Sequence, residues 1–197
     1  MRLIFATHNS GKLAEMRSIL AGLLYEIESA REAGVMDEVV EDGLTFADNA
    51  LKKAVEVCKA TNALSLADDS GVCINALDGA PGVYTARWAG EGASDTQLVE
   101  HTLEQMSGKT NRKASFVCVA ALVTPDGRTW TFEGRVDGTL TTEPRGTARP
   151  KLPYDAIFIP EGETRTFAEM PEEEKHAMSH RGRAMRKVRE FLESTQI

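Results

Sequence analysis

Hydrophobic positions in this chain fall into short continuous runs that alternate with stretches of helical spacing. The continuous runs predict strands at residues 2–6, 25–27, 63–68, 71–76, 116–123, 129–132 and 156–159. Helical spacing predicts helices over residues 13–23, 46–58 and 95–106, and in a tail that Pro171 opens. Thr45, and either Ser94 or Asp95, are placed as N-caps. Alternating strands and helices with one hairpin indicate a mixed α/β sheet.

The composition predicts a single soluble domain over residues 1–197. Hydrophobic residues make up 42% and charged residues 27% of the chain, and no run approaches the ~20 apolar residues of a membrane span. The N-terminal apolar run is too short for a signal peptide, so we expect a cytoplasmic protein without a membrane partner. The net charge of -7 argues against a nucleic-acid partner, but it is compatible with a nucleotide enzyme that has local cations.

The most informative polar feature is the pair Asp68-Asp69, followed by Ser70, between two predicted buried strands. Neighbouring carboxylates among apolar residues repel each other and lose hydration, and a divalent cation offsets both costs. Oxygen ligands suit Mg²⁺, which commonly serves phosphate chemistry. The repulsion would also raise the pKa of these carboxylates, which suits one of them as a general base. An acidic turn capped by Ser70 is an equal alternative.

Two further segments have the composition of a phosphate site. Thr7, Asn9 and Lys12 lie between a strand and a helix, where unpaired backbone N–H groups and the helix dipole attract anions. The stretch from Glu41 to Gly43 precedes the helix that carries Lys53, so it offers a further carboxylate and a further cation. Each segment alone is also compatible with an ordinary loop, with the acids complementing the helix dipole and Lys53 pointing to solvent.

Two C-terminal segments carry candidate contacts to a nucleobase. Asp155 precedes the last predicted strand, and it is either a ligand or only the first residue of that strand. His180 and Arg181 lie in a basic cluster where we expect Gly182 to interrupt the helix. Their N–H groups can donate to a base carbonyl, which distinguishes an oxo-purine from an amino-purine. A solvated helix face explains most of the other charges in this cluster.

Five segments, in this order, resemble the inosine/xanthosine triphosphate pyrophosphatase family, and the resemblance runs from Thr7 to about Arg186. The segments are Thr7, Asn9 and Lys12 as TxNxxK; Gly43-Leu44-Thr45-Phe46 with Asn49-Ala50; Ala67-Asp68-Asp69-Ser70-Gly71; Gly79-Ala80-Pro81-Gly82-Val83-Tyr84 with Ala86-Arg87; and Ser179-His180-Arg181-Gly182. The resemblance implies a homodimer with an elongated α/β fold, in which two lobes surround a central nucleotide cleft. It also implies Mg²⁺-dependent hydrolysis of non-standard purine nucleoside triphosphates (ITP, dITP and XTP) to the monophosphate and pyrophosphate, which cleanses the nucleotide pool.

The resemblance further implies roles for individual residues. Asp69 would be the general base, or the metal-bound activator of the attacking water, and Asp68 would support the metal. The residues implied to hold the triphosphate are Thr7, Asn9, Lys12 and Lys53. The residues implied to contact the rest of the substrate are Ser70, Tyr154, Asp155, Lys175, His180 and Arg181, and the last four would read the base.

The segment from Gly146 to Asp155 departs from the family pattern. It is two residues longer than the usual Gly-Gly-Phe-Gly-Tyr-Asp stretch, and Leu152 stands where the family has a ring that packs near the base. Tyr154 or another ring would then have to substitute. Arg149 and Lys151, which this segment adds, would reach the phosphates or belong to a lid.

The acidic loop is the second departure. Val40 stands where the family often has a metal-binding glutamate, so either Glu41 or Asp42 takes that role or a ligand is missing. We adopt Glu41 as the candidate ligand. Three hypotheses therefore remain open: the activity of the family, the same pyrophosphatase chemistry with a shifted base preference, and a nucleotide-binding protein without catalysis.

Overall fold

The computed structural model describes residues 1–8, 10–147, 149–195 and 197. Its strands are β1 (Arg2–Phe5), β2 (Glu26–Ser29), β3 (Leu64–Ile74), β4 (Lys113–Val123), β5 (Thr129–Leu140) and β6 (Phe158–Pro160). Its α-helices are α1 (Ser10–Ile19), α2 (Phe46–Thr61), α3 (Asp95–Gln105), α4 (Glu172–Met178) and α5 (His180–Ser194). Short 3-10 turns lie at Asn75–Leu77, Gly82–Arg87, Pro153–Ala156 and Phe167–Glu169.

The strands form a mixed sheet in the order β2-β1-β3-β4-β5-β6. Strand β1 runs parallel to both of its neighbours, with Leu3 opposite Ile27 on one side and Leu64 on the other. Strand β6 runs antiparallel to β5. Alternating helices and strands around a sheet of mixed direction confirm the predicted α/β fold class.

The acidic pair lies inside one continuous strand, so the prediction of two strands at 63–68 and 71–76 is wrong. Strand β3 runs unbroken from Leu64 to Ile74, with both Asp68 and Asp69 buried. The alternative of an acidic turn capped by Ser70 is wrong for the same reason. Carboxylates in water favour a turn, but these two have cationic and amide partners that allow an extended, buried backbone.

The C-terminal region also differs from its prediction, because Gly182 lies within α5 and does not interrupt it. The break between α4 and α5 falls at Ser179, whose φ of -65° and ψ of 155° are extended. Pro171 stands at the N-cap of α4, immediately before the first helical residue. A glycine near the start of a helix costs little, whereas an extended residue ends the helix outright.

The first compact unit comprises residues Met1–Asp69, Cys118–Gly134 and Arg181–Ile197. Its core is built from β1, α1, β3, β4 and α5, and includes Leu3, Phe5, Met16, Leu66, Leu122 and Met185. Thr45 caps α2 in a reciprocal box with Asp48, as predicted. Arg189 of α5 donates to the carbonyl oxygen of Ile19 at 2.7 Å, which holds α5 against the end of α1.

The second compact unit comprises Ser70–Val117 and Arg135–His180. Its core includes Val72, Leu98, Phe116, Tyr154, Phe158 and Phe167. Ser94 caps α3 in a box with Gln97, which selects Ser94 over Asp95 as the N-cap. A single domain over residues 1–197 stays a prediction. No helix in the described ranges is both long enough and apolar enough to cross a bilayer.

Candidate active site

Asp68 lies at the centre of a buried charge cluster in the first unit. Lys12 Nζ is 3.2 Å from each of its carboxylate oxygens, and Arg181 Nε donates to Oδ2 at 3.0 Å. Both cations stand in the first turn of a helix, where the helix dipole adds further positive potential. Burial alone would raise the pKa of Asp68, but the surrounding cations hold it well below its ordinary value. The expectation that the paired acids raise each other's pKa is therefore wrong for Asp68.

Lys53 connects this cluster to the acidic loop. Its Nζ donates to the backbone carbonyl oxygen of Asp68 at 2.7 Å and forms an ion pair with Glu41. Burial alone would lower the pKa of this ammonium, but the charges of Asp68, Glu41 and Asp69 raise it above its ordinary value. Asp42, the alternative ligand, instead forms an ion pair with Lys52 at the surface. The geometry therefore favours Glu41 as the acid that accompanies the pair.

Asp69 is oriented by a side chain that has no assigned role in the sequence prediction. Asn49 Nδ2 donates to Asp69 Oδ2 at 2.9 Å, and Asn49 Oδ1 accepts from the backbone N–H of Gly43 at 2.7 Å. A Cβ atom at Gly43 would lie 2.7 Å from Asn49 Oδ1, so only glycine allows this approach. Asn49 is fully buried in the first turns of α2. A buried amide in an otherwise apolar helix face is the sequence signal that could have revealed it.

The donor set around Lys53 fits a hard divalent cation that also binds phosphate. The carboxylates of Asp69 and Glu41 both act on this one buried ammonium, so the local field already favours positive charge. Asp68 is a poorer ligand, because Lys12 and Arg181 already occupy its oxygens. Among the described residues no three His, Cys, Asp or Glu side chains converge as a ligand set. Mg²⁺ typically takes one or two carboxylates and completes its shell with water and phosphate oxygens, which matches this arrangement.

A second buried charge cluster, in the second unit, is centred on Asp155. Lys175 Nζ donates to Asp155 Oδ2, and both side chains are almost fully buried. Arg149 Nη1 lies 3.7 Å from the same oxygen. The ammonium of Lys175 also lies 5.8 Å from the ring centroid of Phe167, a cation–π distance. Asp155 is therefore a buried ion-pair partner. The alternative that it is only the first residue of a strand is wrong, because it lies in the 3-10 turn Pro153–Ala156 and β6 begins at Phe158.

Aromatic rings form one wall of this second cluster. The His180 imidazole stacks on Phe116 at 4.7 Å with an interplanar angle of 9°. Phe116 in turn packs against Phe158 and Phe167, with centroids 4.6 and 6.0 Å away. Stacking fixes the plane of the imidazole and therefore the plane in which its two ring nitrogens donate or accept.

Tyr154 is buried with its hydroxyl engaged. The O–H donates to the carbonyl oxygen of Thr85 at 2.8 Å, and the ring belongs to the core of the second unit. Thr85 also accepts from the backbone N–H of Val72 through its own hydroxyl, at 3.0 Å. These contacts hold Tyr154 in place, and Tyr154 thereby fixes the segment before Asp155.

Comparison with known proteins supports the family resemblance that the motifs indicate. A model of the Ham1 family matches residues 3–191. The chain belongs to the Ham1 family. A dITP/XTP pyrophosphatase of Streptomyces avermitilis is 46% identical over 199 residues, covering 97% of this chain and 98% of the relative. The corresponding Bacillus subtilis protein, with the same name, is 42% identical and covers 97% and 96% of the two chains. These relatives confirm the resemblance drawn from the sequence.

A solved structure of a HAM1 protein from Coxiella burnetii has the same fold. Its TM-score is 0.93 and its sequence identity 37%, with 99% of this chain and 100% of that chain covered. The mixed α/β architecture is therefore the one that the Ham1 family adopts.

Within this Ham1 fold the candidate residues divide between the two units. Those of the first unit include Lys12, Glu41, Lys53, Asp68, Asp69 and Arg181, and those of the second include Ser70, Tyr154, Asp155, Lys175 and His180. Arg181 engages Asp68 and lies 3.7 Å from Glu15, so its side chain is built into the first cluster. Thr7 follows β1, its backbone N–H donating to Phe5, and Ser70 lies half-buried in β3. Asn9 lies outside the described residues.

Proposed function

We propose that this Ham1 protein hydrolyses nucleoside triphosphates to the monophosphate and pyrophosphate, with Mg²⁺ as cofactor and non-standard purine nucleotides (ITP, dITP and XTP) as substrates. The observation that carries the proposal is the position of Lys53, a buried ammonium in the field of three carboxylates. The same cluster contains Lys12 and Arg181. A group that offers carboxylates to a cation and ammonium groups to an anion suits a metal–triphosphate complex.

In this proposal the first cluster performs the chemistry. Asp69 and Glu41 would hold Mg²⁺, which would supply neutralisation of the phosphate charge and a lowered pKa of the attacking water. Lys12 and Lys53 hold the phosphate oxygens with Thr7 and Asn9. The water oxygen attacks the α-phosphorus, the bond from that phosphorus to the bridging oxygen breaks, and pyrophosphate leaves with the electron pair. Asp69 takes the proton of the water, and Asn49 keeps its carboxylate oriented.

The second cluster contributes base recognition. Lys175 and His180 are donors held in fixed positions by Asp155 and Phe116, and an oxo-purine carbonyl is the acceptor they would meet. An adenine amino group at the same place is itself a donor, so it could not accept from Lys175 or His180. Buried donors left unpaired disfavour the wrong base strongly. Ser70 and Arg181 are proposed as additional substrate contacts.

A shifted base preference is a second candidate, because the altered segment supplies no free ring. Leu152 is half-buried where the family has an aromatic residue, and the ring of Tyr154 belongs to the core. Loss of base stacking weakens binding by about 1–3 kcal/mol. In this candidate the phosphate chemistry is unchanged and another base is accepted.

Pyrophosphate release from ITP, XTP, dITP, ATP, GTP, CTP and UTP, measured with and without Mg²⁺, tests both candidates. We expect metal-dependent turnover of ITP, dITP and XTP, and little turnover of the standard nucleotides. Turnover concentrated on another base would support the second candidate. If no triphosphate is hydrolysed, the enzyme proposal is wrong and a nucleotide-binding protein is favoured.

We also propose that the chain acts as one catalytic domain, as a homodimer, in the cytoplasm. The single domain and the cytoplasmic location rest on the composition and the N-terminal sequence, and the homodimer rests on the resemblance. Light scattering of the purified protein at micromolar concentration tests the dimer, and a monomer mass would refute it.

A further inference from the structure

The segment before Asp155 is anchored to its own unit at several points. Gly146 has a φ of 81°, and a Cβ there would lie 2.6 Å from the carbonyl carbon of Ala168. The backbone N–H of Thr147 donates to the carbonyl oxygen of Ala168 at 3.2 Å. Farther along, the backbone N–H of Lys151 donates to Asp95 Oδ2 at 2.7 Å. These contacts dock residues 145–147 and 149–151, which we call the strap, on the turn at residues 166–170 and on the start of α3.

Arg149 extends from this strap into the Asp155 cluster. Its Nη1 donates to the carbonyl oxygen of Phe167 at 3.2 Å, and its Nη2 donates to that of Met170. The same guanidinium lies 3.7 Å from Asp155 Oδ2, the oxygen that also accepts from Lys175. A planar guanidinium can serve three acceptors in fixed directions, which a lysine cannot do.

The cluster therefore has two cations on one buried carboxylate. The side chain of Asp155 is 4% exposed, that of Lys175 6% and that of Arg149 20%. With only Lys175 present, the ammonium could swing to either oxygen of Asp155, since its three donors have no directional preference. Arg149 removes that freedom by restraining the carboxylate from the strap side, and it leaves the cluster with an excess of donors.

We propose that Arg149 is a positioning residue that fixes the Asp155–Lys175 pair and thereby sets the preference for carbonyl-bearing purines. The inference rests on the function proposed above. It also assigns a role to the altered segment. Arg149 acts through Asp155 and Lys175, and neither the phosphates nor solvent is its main partner. The cluster favours a base rich in acceptors, because the two cations have more N–H donors than the one carboxylate can accept.

Arg145 provides a matched control in the same strap. Its Nη2 donates to the carbonyl oxygen of Thr164 at 3.1 Å and lies 3.7 Å from Glu169. The residue has the same charge and also anchors the strap, but its guanidinium contacts Thr164 and Glu169 and not Asp155 or Lys175. A general loosening of the strap would follow from either substitution, whereas a loss of positioning would follow only from Arg149→Met.

The test uses the two reaction products as inhibitors, because IMP carries the base and pyrophosphate does not. For Arg149→Met we expect the Ki of IMP to rise about tenfold, because a misplaced Lys175 would lose one charge-assisted contact to the base, and the Ki of pyrophosphate to stay within about twofold. The ratio of kcat/KM for ITP over ATP should fall by a similar factor. Arg145→Met should leave all three quantities near those of the wild type.

The outcomes separate the inference from the function on which it rests. An unchanged Ki for IMP in Arg149→Met would overturn the positioning role, as would equal weakening of IMP and pyrophosphate. Arg149→Lys keeps the charge but loses the planar fork, so we expect it to restore only part of the ITP preference; full restoration would replace the geometric role with a purely electrostatic one. If the wild type hydrolyses no triphosphate, the proposed function itself fails.

Discussion

The two charge clusters share one design and differ in their surroundings. Each is centred on a buried aspartate outnumbered by cations: Asp68 has Lys12 and Arg181 on its carboxylate, and Asp155 has Lys175 and Arg149. Around Asp68 the next groups include further charged side chains, those of Lys53, Glu41 and Glu15. Around Asp155 the next groups are the rings of the second unit's core.

This difference teaches how a buried charge can be either exchangeable or fixed. In the first cluster Lys53 already shares its ammonium between Glu41 and a backbone carbonyl, so an incoming cation or phosphate finds charged groups that can change partners. In the second cluster Lys175 has one carboxylate and an aromatic wall, so moving it would leave a buried charge unpaired. Exchangeable charge suits a metal–phosphate complex, and fixed charge suits discrimination between bases.

The largest expected effect is on catalysis by the first cluster. Asp69→Asn should reduce kcat about 10³-fold with ITP, because the amide can neither take a proton from water nor serve as an anionic metal ligand. The amide oxygen still accepts from Asn49, so we expect folding to change little. Steady-state pyrophosphate release measures this. Asp42→Asn, in an exposed ion pair with Lys52, is the control and should keep full activity. Wild-type turnover in Asp69→Asn would show that another residue acts as the general base.

The next effect concerns stability. Asp68→Asn should lower the free energy of unfolding by about 3–5 kcal/mol, because it leaves Lys12 and Arg181 without their buried counter-charge. Urea unfolding measures the change. Asp137→Asn breaks an ion pair with Arg135 whose side chains are about half exposed, so its loss should stay below about 1 kcal/mol. Equal losses in the two variants would show that the Asp68 cluster contributes no more than a surface pair.

The pH dependence of unfolding gives a second test of the contribution that Asp68 makes to stability. Because the pKa of Asp68 is lower in the folded chain than in the unfolded chain, the unfolded chain binds more protons at acid pH, and stability falls as pH falls. The contribution is complete above the unfolded value near pH 4 and is lost below it by up to about 1.4 kcal/mol per pH unit. Below pH 4 the wild type should therefore lose stability more steeply than Asp68→Asn as the pH falls. Parallel profiles would contradict the depressed pKa.

Local signals in the sequence were sufficient for the helix starts. Thr45 is predicted as one N-cap, and either Ser94 or Asp95 as another. Thr45 and Ser94 form capping boxes with the residues three positions later, Asp48 and Gln97. Such caps depend on a few neighbouring residues, so the sequence contains all of the information. The mixed α/β class followed from hydrophobic periodicity for the same reason.

Long-range partners decided where the prediction was wrong or incomplete. The continuity of β3 depends on charges placed far away in the chain, since Arg181 lies 113 positions after Asp68. Without that contact, adjacent acids favour a turn. The role of Asn49 depends in the same way on Asp69, twenty positions away, and that of Arg149 on carbonyl groups beyond residue 166. Sequence patterns identify such polar residues but do not reveal their partners.

The smallest expected effect tests whether the second cluster is as rigid as its packing indicates. Tyr154→Phe removes the hydrogen bond to the Thr85 carbonyl, so the free energy of unfolding should fall by about 1 kcal/mol. Burial raises the pKa of Tyr154 to about 12, so the phenol is a neutral donor throughout the working pH range. The KM for ITP should stay within about twofold, because the ring remains and the hydroxyl is already engaged. Tyr84→Phe, at a half-exposed ring, is the control for hydroxyl loss. A KM raised tenfold without loss of stability would instead make Tyr154 the substrate contact implied by the resemblance, and the second cluster would then be exchangeable like the first.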